Sequence, residues 1–506
     1  MREIKSILLA AGAVLALSTS AQAADLPTKK GTSLPVVTNC FASFWTWVDS
    51  TPTDCPLSYW GVTFYGQIDV AGGYNTHASG FNPSYNNGVF NAISATSHNG
   101  AYQLIPNGLS QSNIGVKWKE RIASNWYFIG DVDFGFDPYS LRFADGPNSL
   151  EQNNTLPAFA RNTNADSSRA YGPINWLAYA GIENQAFGTL TYGRQGPFSG
   201  ENIVHYDPFG VSYAFSLIGT SGRIGSGFGD SELGRYTNSI KYVYAVGSVR
   251  AGVLSQVGGW SAGNNAQYAI QGDVGFDFYG LSVDGVYEYA KDAVALSTYG
   301  SMPVAPLASN TLKATIENLS AFQIAAKYKW QQLTIYGGYQ NGRSTNPSDL
   351  PVSASIATSP VSAFNDGYPA VYGTAVQGAN SFAVAKILQV LWIGGKYPLL
   401  PNLDLAAGYY RFWQNDYLGS TETFAGASAS CAPNTGTNPL GGKLYGTNNG
   451  KCRGVENAVS GMLDWRPWKR FDVYGGVMYS SISGGLASGY FANNNVETLA
   501  GVRVSF

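Results

Sequence analysis

Charge is scarce in this 506-residue chain: 12 % of its residues are Asp, Glu, Lys or Arg, about half the ~25 % of ordinary soluble domains. Long apolar runs are missing too. The longest candidate, Phe382 to Ile393, is broken by Lys386 and Gln389, so no stretch approaches the roughly 20 apolar residues of a membrane-spanning helix. Histidine is confined to His77, His98 and His205. There is no HExxH, P-loop or strand-linked GxGxxG, and the Gly225-Ser226-Gly227-Phe228-Gly229 run lacks the GxSxG spacing of a nucleophile elbow. His205 followed by Asp207 is the nearest approach to a catalytic pair, and no nucleophile accompanies it. These absences exclude a helical membrane protein and leave no basis for an enzyme, a cofactor or a metal centre.

Glycine is plentiful (61 residues) and aromatic residues make up 14 % of the chain. Arg2 and Lys5 precede the apolar stretch Ile7 to Leu17, and Ala21-Gln22-Ala23 follows. This is the layout of a secretory signal over residues 1–23, with an apolar core too short to span a bilayer. Its removal takes away two bases and one acid, leaving 28 Lys and Arg against 31 Asp and Glu. That balance carries no footprint for nucleic acid. Export also permits disulfides. The four cysteines fall into two local couples, Cys40 with Cys55 and Cys431 with Cys452. Four cysteines allow three connectivities, and the spacing favours the local one. Such a clip is worth roughly 3 kcal/mol, and no CxxC pair or nearby His suggests a metal instead.

The dominant positive signal is alternation with period two, from residue 60 to the end. In Val62-Thr63-Phe64-Tyr65-Gly66-Gln67-Ile68-Asp69-Val70 the even positions are apolar or Gly and the odd ones polar or Tyr; in the last segment Val496, Ala500, Val502, Val504 and Phe506 share one face. Successive side chains of a strand point to opposite faces, so one face meets something greasy and the other something wet. About sixteen strands follow on this basis: 60–75, 110–121, 124–136, 173–184, 186–194, 234–245, 248–258, 266–279, 281–291, 318–330, 332–341, 380–397, 402–414, 453–466, 471–482 and 495–506. Short links such as Ile122-Ala123, Gln185, Val246-Gly247, Gly280, Gln331 and Pro398 to Pro401 alternate with long ones at 76–109, 137–172, 195–233, 292–317, 342–379 and 415–452. Short turns at one end and long loops at the other are the arrangement of bacterial outer-membrane barrels. A soluble sandwich has no reason to segregate loops by length. Aromatics near strand ends, among them Trp60, Trp118, Trp126, Trp330, Trp465 and Trp468, fit interfacial girdles. The expectation is an all-β transmembrane antiparallel barrel of about sixteen strands over residues 60–506, preceded by an extension at 24–59.

Particular segments sharpen this. Phe64-Tyr65-Gly66-Gln67-Ile68-Asp69, Ser112-Asn113-Ile114-Gly115-Val116-Lys117, Phe187-Gly188-Thr189-Leu190-Thr191-Tyr192-Gly193-Arg194-Gln195 and Tyr206-Asp207-Pro208-Phe209-Gly210, in that order and with a terminal Phe506, resemble the trimeric general porins of the alphaproteobacterial branch. The resemblance covers essentially the whole mature chain. It implies a sixteen-stranded barrel, a homotrimer set among outer-membrane lipids and lipopolysaccharide, and a long third loop, here 195–233, folded into the lumen. Phe506 resembles the signal read by the barrel-insertion machinery. The implied activity is passive diffusion of small hydrophilic solutes and ions.

In such a channel the mechanism is the size and charge of the narrowest point. The expected constriction has an acidic loop side, Glu201, Asp207, Asp230 and Glu232, and a basic wall side. Strand parity places Arg235 and Lys241 in the lumen with Thr237 and Ser239, opposite Tyr236, Ile240 and Tyr242. Arg169 shares parity with Asn175 and Tyr179, and Lys117 faces inward with Lys119 and Asn113. Arg194 shares the parity of Leu190 and Tyr192 where the chain leaves its strand. Asp131 and Asp133 also face inward and could pair with lumenal bases. A substrate-specific channel, for instance for sugars, would instead use lumenal rings such as Tyr65, Tyr127 and Tyr179 as stacking surfaces. A third reading is a surface protein whose long loops bind partners.

Overall fold

The structure, a computed structural model, describes residues 39–78, 93, 99–141, 176–218, 235–257, 266–296, 314–345, 368–370, 374–376, 384–417, 423–424, 427–428, 451–487 and 491–506. Sixteen antiparallel strands close into a barrel. In chain order they are β1 Val62–Asn75, β2 Asn113–Ala123, β3 Trp126–Gly135, β4 Leu177–Asn184, β5 Gly188–Gln195, β6 Tyr236–Val246, β7 Val249–Gln256 and β8 Tyr268–Phe278. The second half comprises β9 Leu281–Leu296, β10 Ala314–Trp330, β11 Leu333–Thr345, β12 Lys386–Leu400, β13 Leu403–Gln414, β14 Gly454–Trp465, β15 Phe471–Gly484 and β16 Asn494–Ser505. Each pairs with its sequence neighbour, and β16 closes the cylinder on β1 through Gln67↔Ser505 to Asn75↔Glu497. Closure matters because open edges would expose backbone donors and acceptors that lipid cannot satisfy.

Alternation explains why these segments are strands and which way they face. On β8, Val274, Phe276 and Phe278 are exposed on the outer surface while Gln271 and Asp273 are buried in the lumen. On β1, Val62, Phe64 and Ile68 face outward and Asp69 is fully buried. Tight links supply the turns. Tyr279 and Gly280, at φ 46° and 84°, join β8 to β9 with both central residues at positive φ, as a two-residue type I′ hairpin requires. The link at 398–401 is shorter than expected: Pro398 still pairs with Asp404, with a register shift between Pro398 and Leu400. A proline is tolerated there because a bulge removes the need for its missing N–H.

A departure from regular strand pairing shapes the lumen. The upper half of β1 pairs with a short strand, Ala101–Pro106, inside the expected loop 76–109, and only its lower half pairs with β2. The intervening residues 107–112 bend inward onto Asp69, whose Oδ2 accepts the backbone N–H groups of Leu109 (2.7 Å) and Ser110 (2.9 Å). The Tyr474 hydroxyl donates to the other carboxylate oxygen at 2.5 Å.

Before β1, residues 39–59 form a compact clip. Helix α1, Phe44–Val48, is capped by the Ser43 hydroxyl, and Cys40 is bonded to Cys55. The short strand Leu57–Tyr59 then pairs with Val62–Phe64. The clip docks on the β14–β15 turn. Arg470, 1 % exposed, donates to the carbonyls of Trp47 (2.8 Å), Thr51 (3.2 Å) and Cys55 (2.6 Å) and lies 4.3 Å over the Trp47 ring. Cys452 is also disulfide-bonded, while Cys431 lies outside the described residues, as do the expected signal at 1–23 and residues 24–38. Replacing Cys40 with Ser should weaken the clip's docked state by about 3 kcal/mol, read as faster proteolysis within 39–59 while the barrel's resistance to unfolding by detergent and heat is retained.

Candidate pore constriction

The lumen is crossed by the segment that follows β5. A positive φ at Gly193 (139°) and a register shift between Gly193 and Gln195 turn the chain inward, and helix α2, Phe198–Tyr206, begins at once. Its N-cap is Pro197, which has no side-chain acceptor for the orphan amides of a helix start. The wall supplies one: the Phe198 N–H donates to Gln271 Oε1 on β8 at 2.7 Å. Gly252 on β7 leaves the space filled by the Phe198 ring, since a Cβ there would sit 2.4 Å from it.

The helix is fastened along its length. Asn202 donates to Asp273 (3.0 Å). The Tyr206 hydroxyl donates to Asp284, and Arg250 bridges both, reaching the Tyr206 oxygen at 2.8 Å and Asp284 at 2.6 Å. Trp392 Nε1–H donates to the Tyr206 carbonyl at 2.8 Å. The next turn is organised by Asp207, which is buried: its Oδ2 accepts the N–H groups of Phe209 (3.0 Å) and Val211 (2.9 Å), and its Oδ1 the Tyr410 hydroxyl (2.6 Å). Pro208 and Phe209 lie over Gly394 and Gly408, which are paired across β12 and β13. Beyond them, the Ser212 hydroxyl and the Ala214 N–H donate to the Gly108 carbonyl at 2.8 and 3.1 Å, and the Phe215 ring meets Tyr474 edge-on. The segment thus runs along the lumen from β5 past β8, β9, β12 and β13 to the inward bend at 107–112.

Beside it lies a cavity of about 300 Å³, lined on the wall side by Gln67, Ser110, Asn113 and Arg235 and on the loop side by Gly200, Glu201, Val204 and Tyr213. The exposed face of α2 carries Glu201, Val204 and His205. Glu201 points toward the opening with its side chain 48 % exposed, and Lys241 Nζ holds it from behind at 2.5 Å; Lys241 itself is nearly buried, donates to the Gly196 carbonyl (3.1 Å) and lies 4.5 Å over the Phe198 ring. Arg235 is stacked 4.1 Å over the Trp176 indole.

The charges singled out in the sequence therefore separate into groups. Glu201 and Arg235 line the cavity, with Lys241 buried behind Glu201. Asp207 sits inside the loop's own turn, away from the water. Arg194 is turned to the Thr237 hydroxyl (2.8 Å). Lys117 lies over the Tyr65 ring at 5.1 Å, and Tyr65 donates to Asp131 (2.6 Å) while Asn113 donates to Asp133 (2.7 Å). Asp230, Glu232 and Arg169 lie outside the described residues. Among the described residues parity fails at Tyr236, which is fully buried, not outward, because Asn238 adopts a positive φ of 51° and breaks the alternation of β6. The fastening residues Arg250, Asp284, Trp392 and Tyr410 were not singled out. Their signal was a charge or large ring at an inward position beside a small residue, as at Gly275, where a Cβ would meet Asp284 at 1.7 Å.

Burial pushes the Asp207 carboxyl up to about 6, despite the hydrogen bonds of Tyr410, Val211 and Phe209 that lower it. A carboxyl with a raised value in the docked loop favours docking below its free value near 3.8 and loses that contribution as pH rises through about 6. Loop attachment should weaken by roughly 3 kcal/mol between pH 3 and pH 7. The expected readout is a rise in open-channel noise centred near pH 6, removed by Asp207→Asn; a pH-independent wild type would overturn it.

His205 and Asp207 do not form a pair, since both Asp207 oxygens are engaged by the loop and Tyr410. Among the described residues no group of three or more His, Cys, Asp or Glu could hold a metal ion. The arrangement is a loop fastened across the lumen of a closed barrel, with Glu201 and Arg235 at the lining of a cavity beside it.

The barrel resembles solved structures in its fold. An anion-selective porin from Comamonas acidovorans shares the fold at a TM-score of 0.52 and 13 % identity, covering 88 % of this chain and 99 % of that one. An outer-membrane protein of Vibrio cholerae, OmpT, superposes at a TM-score of 0.48 and 14 % identity, covering 89 % of this chain and all of that one (100 %). No curated protein sequence matches the chain. The family model for Gram-negative porins matches residues 9–484. The chain belongs to the Gram-negative porin family, and it is a channel of the bacterial outer membrane, not an enzyme.

Proposed function

We propose that small hydrophilic solutes and ions diffuse passively through the passage beside α2, and that Glu201 and Arg235 set its charge bias. The observation that carries this is the wall-fastened loop, which brings Glu201 and Arg235 to the lining of one cavity of about 300 Å³ in the lumen. Fixed charges of opposite sign across a narrow, partly dehydrated passage bias ions far more than charges on outer loops, which salt screens over about 8 Å. Lys241 takes up part of the Glu201 charge and Asp133 acts on that of Arg235; Arg235→Glu reverses a charge where Glu201→Gln only removes one, so the first is expected to weigh more. Arg235→Glu should move the cation-to-anion permeability ratio severalfold toward cations in planar bilayers, and Glu201→Gln should move it the other way by less. Unchanged reversal potentials in both variants would overturn the assignment. Asp230, Glu232 and Arg169 belong to the same proposal through the family resemblance.

A sugar-selective channel needs free aromatic faces in the lumen. Here Lys117 and Lys119 lie over the rings of Tyr65 and Tyr127 at 5.1 and 4.7 Å, which favours the general channel. Large single-channel conductance without block by sugars is the expected result. The homotrimer, the alphaproteobacterial affinity, lipopolysaccharide as a neighbour and recognition of Phe506 by the insertion machinery are carried by the resemblance of the motifs. Sedimentation in detergent tests the first of these.

A further inference from the structure

Side chains of α2 that do not pack on the wall can face only the water of the lumen, and His205 is one of them. Phe198, Ser199, Gly200, Ile203 and Tyr206 form the buried side of the helix. His205 is exposed and follows Glu201 by four residues, which puts both on one face, a turn apart.

The wall groups around this end of the helix divide into engaged acids and an unengaged base. On β8, Asp273 accepts from Asn202 (3.0 Å) and Asp277 pairs with Arg250 of β7 (2.6 Å). On β9, Asp284 accepts from Arg250 at both oxygens (2.8 and 2.6 Å) and from the Tyr206 hydroxyl. Glu288, higher on β9, lies beside Gln271 at the other end of the helix and is bound by Tyr236. On the helix itself, Glu201 is paired with Lys241 of β6 (2.5 Å). β11 brings the Tyr336 side chain, opposite Lys327 of β10. Lys327 shares the inward parity of the buried Gln323 and Ala325, with Lys329 two residues nearer the turn. Among the described residues Lys327 forms no ion pair, and its Nζ stands 5.8 Å over the ring of Tyr206, the neighbour of His205. Desolvation in the lumen and then the Lys327 charge hold the His205 imidazole below its ordinary 6.5, with Asp284 and Glu201 acting the other way. The ring is therefore neutral at neutral pH and gains its charge as the medium is acidified.

We propose that His205 is a titrating selectivity residue of the channel: protonated, it joins Lys327 in placing positive charge on the lumen beside α2 and shifts permeation toward anions. The acids nearest it already have donors of their own, so the new charge is left for passing ions to meet. Within the lumen those ions come closer than the screening length of about 8 Å. The inference rests on the passive-channel reading and adds a pH-set charge to the fixed ones of Glu201 and Arg235.

Reversal potentials across planar bilayers in a KCl gradient test it, read in steps from pH 8 to pH 5 for wild type, His205→Gln, His205→Lys and Lys327→Gln. Each is repeated in an Asp207→Asn background, so that titration of that buried carboxyl is not counted. The cation-to-anion permeability ratio of the wild type should fall severalfold as pH falls, and most of that fall should be absent in His205→Gln. His205→Lys should keep a low ratio at both ends. Lys327→Gln should move the midpoint to higher pH, because the charge opposing protonation is gone. The same pH course in wild type and His205→Gln would overturn the proposal, and an unmoved midpoint in Lys327→Gln would overturn the part given to Lys327. Arg235→Glu at pH 8, where His205 is uncharged, keeps the two readings apart: a shift there beside identical courses for wild type and His205→Gln sinks the titrating charge and leaves the fixed bias standing. Conductance itself reports folding, and His205→Asn serves if His205→Gln does not insert.

Discussion

Gly408→Leu is expected to turn a constricted channel into a wide one. At Gly408 a Cβ would lie 2.8 Å from the Phe209 ring and 3.2 Å from Pro208, and at its cross-strand partner Gly394 a Cβ would lie 2.6 Å from Pro208. The two glycines form the slot into which the loop's turn is pressed. A leucine fills that slot, and overpacking of this kind costs about 1–3 kcal/mol. The cost falls on the loop, because the outward side of β13 is untouched. With Pro208 and Phe209 displaced, the Asp207–Tyr410 bond is lost too, and releasing a buried carboxylate from its donors adds roughly 1–3 kcal/mol. Single-channel conductance should rise severalfold and charge selectivity should fall, while the barrel still migrates as a folded species before heating. Wild-type conductance in a folded Gly408→Leu protein would show that residues 207–211 do not hold the constriction in place.

Arg470→Ala should release the N-terminal clip. One guanidinium serves three carbonyls of residues 47–55 and the Trp47 ring, and among the described residues it has no carboxylate partner. Hydrogen bonds from a charged donor contribute about 1.5–3 kcal/mol each, so removing this side chain should cost the docked clip at least ~3 kcal/mol. Lysine cannot replace it: an ammonium lacks the planar fork that reaches several acceptors at once. Limited proteolysis in detergent should cut within 39–59 much faster in both Arg470→Ala and Arg470→Lys. Conductance should be unchanged, because the clip lies outside the lumen. Protection equal to wild type would mean that the strand Leu57–Tyr59 and the disulfide suffice without Arg470.

Much of this molecule is legible in its sequence, and the reason is the period of the strand. A barrel wall separates lipid from water at every second residue, so β1, β8 and β16 announce both their existence and their facing. The expected strands all lie within a few residues of the observed ones. Legibility ends where the backbone leaves that period. The inward bend at 107–112 is fixed by Asp69 accepting amides from residues some forty positions away, which no local pattern records. The positive φ of Asn238 reverses the facing of Tyr236. For the constriction, parity placed Lys241 and Arg235 in the lumen, but it could not show that Lys241 is tied directly to Glu201. Nor could it show that Asp207 organises a turn. The docking of the clip was equally hidden, since it depends on one arginine meeting carbonyls 415 to 423 residues away.

The closing of β16 on β1 also constrains the order in which the protein folds. Every other strand pair joins consecutive strands, whereas the seam joins groups such as Thr76 and Val496, 420 residues apart. Formed first, that pair would carry about 4 kcal/mol more loop-closure entropy than a hairpin; formed last, it finds its partners already delivered by the growing sheet. Until then two open edges stay available to any other extended chain, the hazard that makes nascent β proteins aggregate. Part of one edge is shielded by the molecule itself. Leu57–Tyr59 covers the lower part of β1 that Phe506 does not reach, so the clip acts in cis as a guard on the unfinished cylinder. Oxidation of Cys40 and Cys55 before insertion would set that guard early, which ties the yield of assembled channel to the redox state of the compartment it crosses.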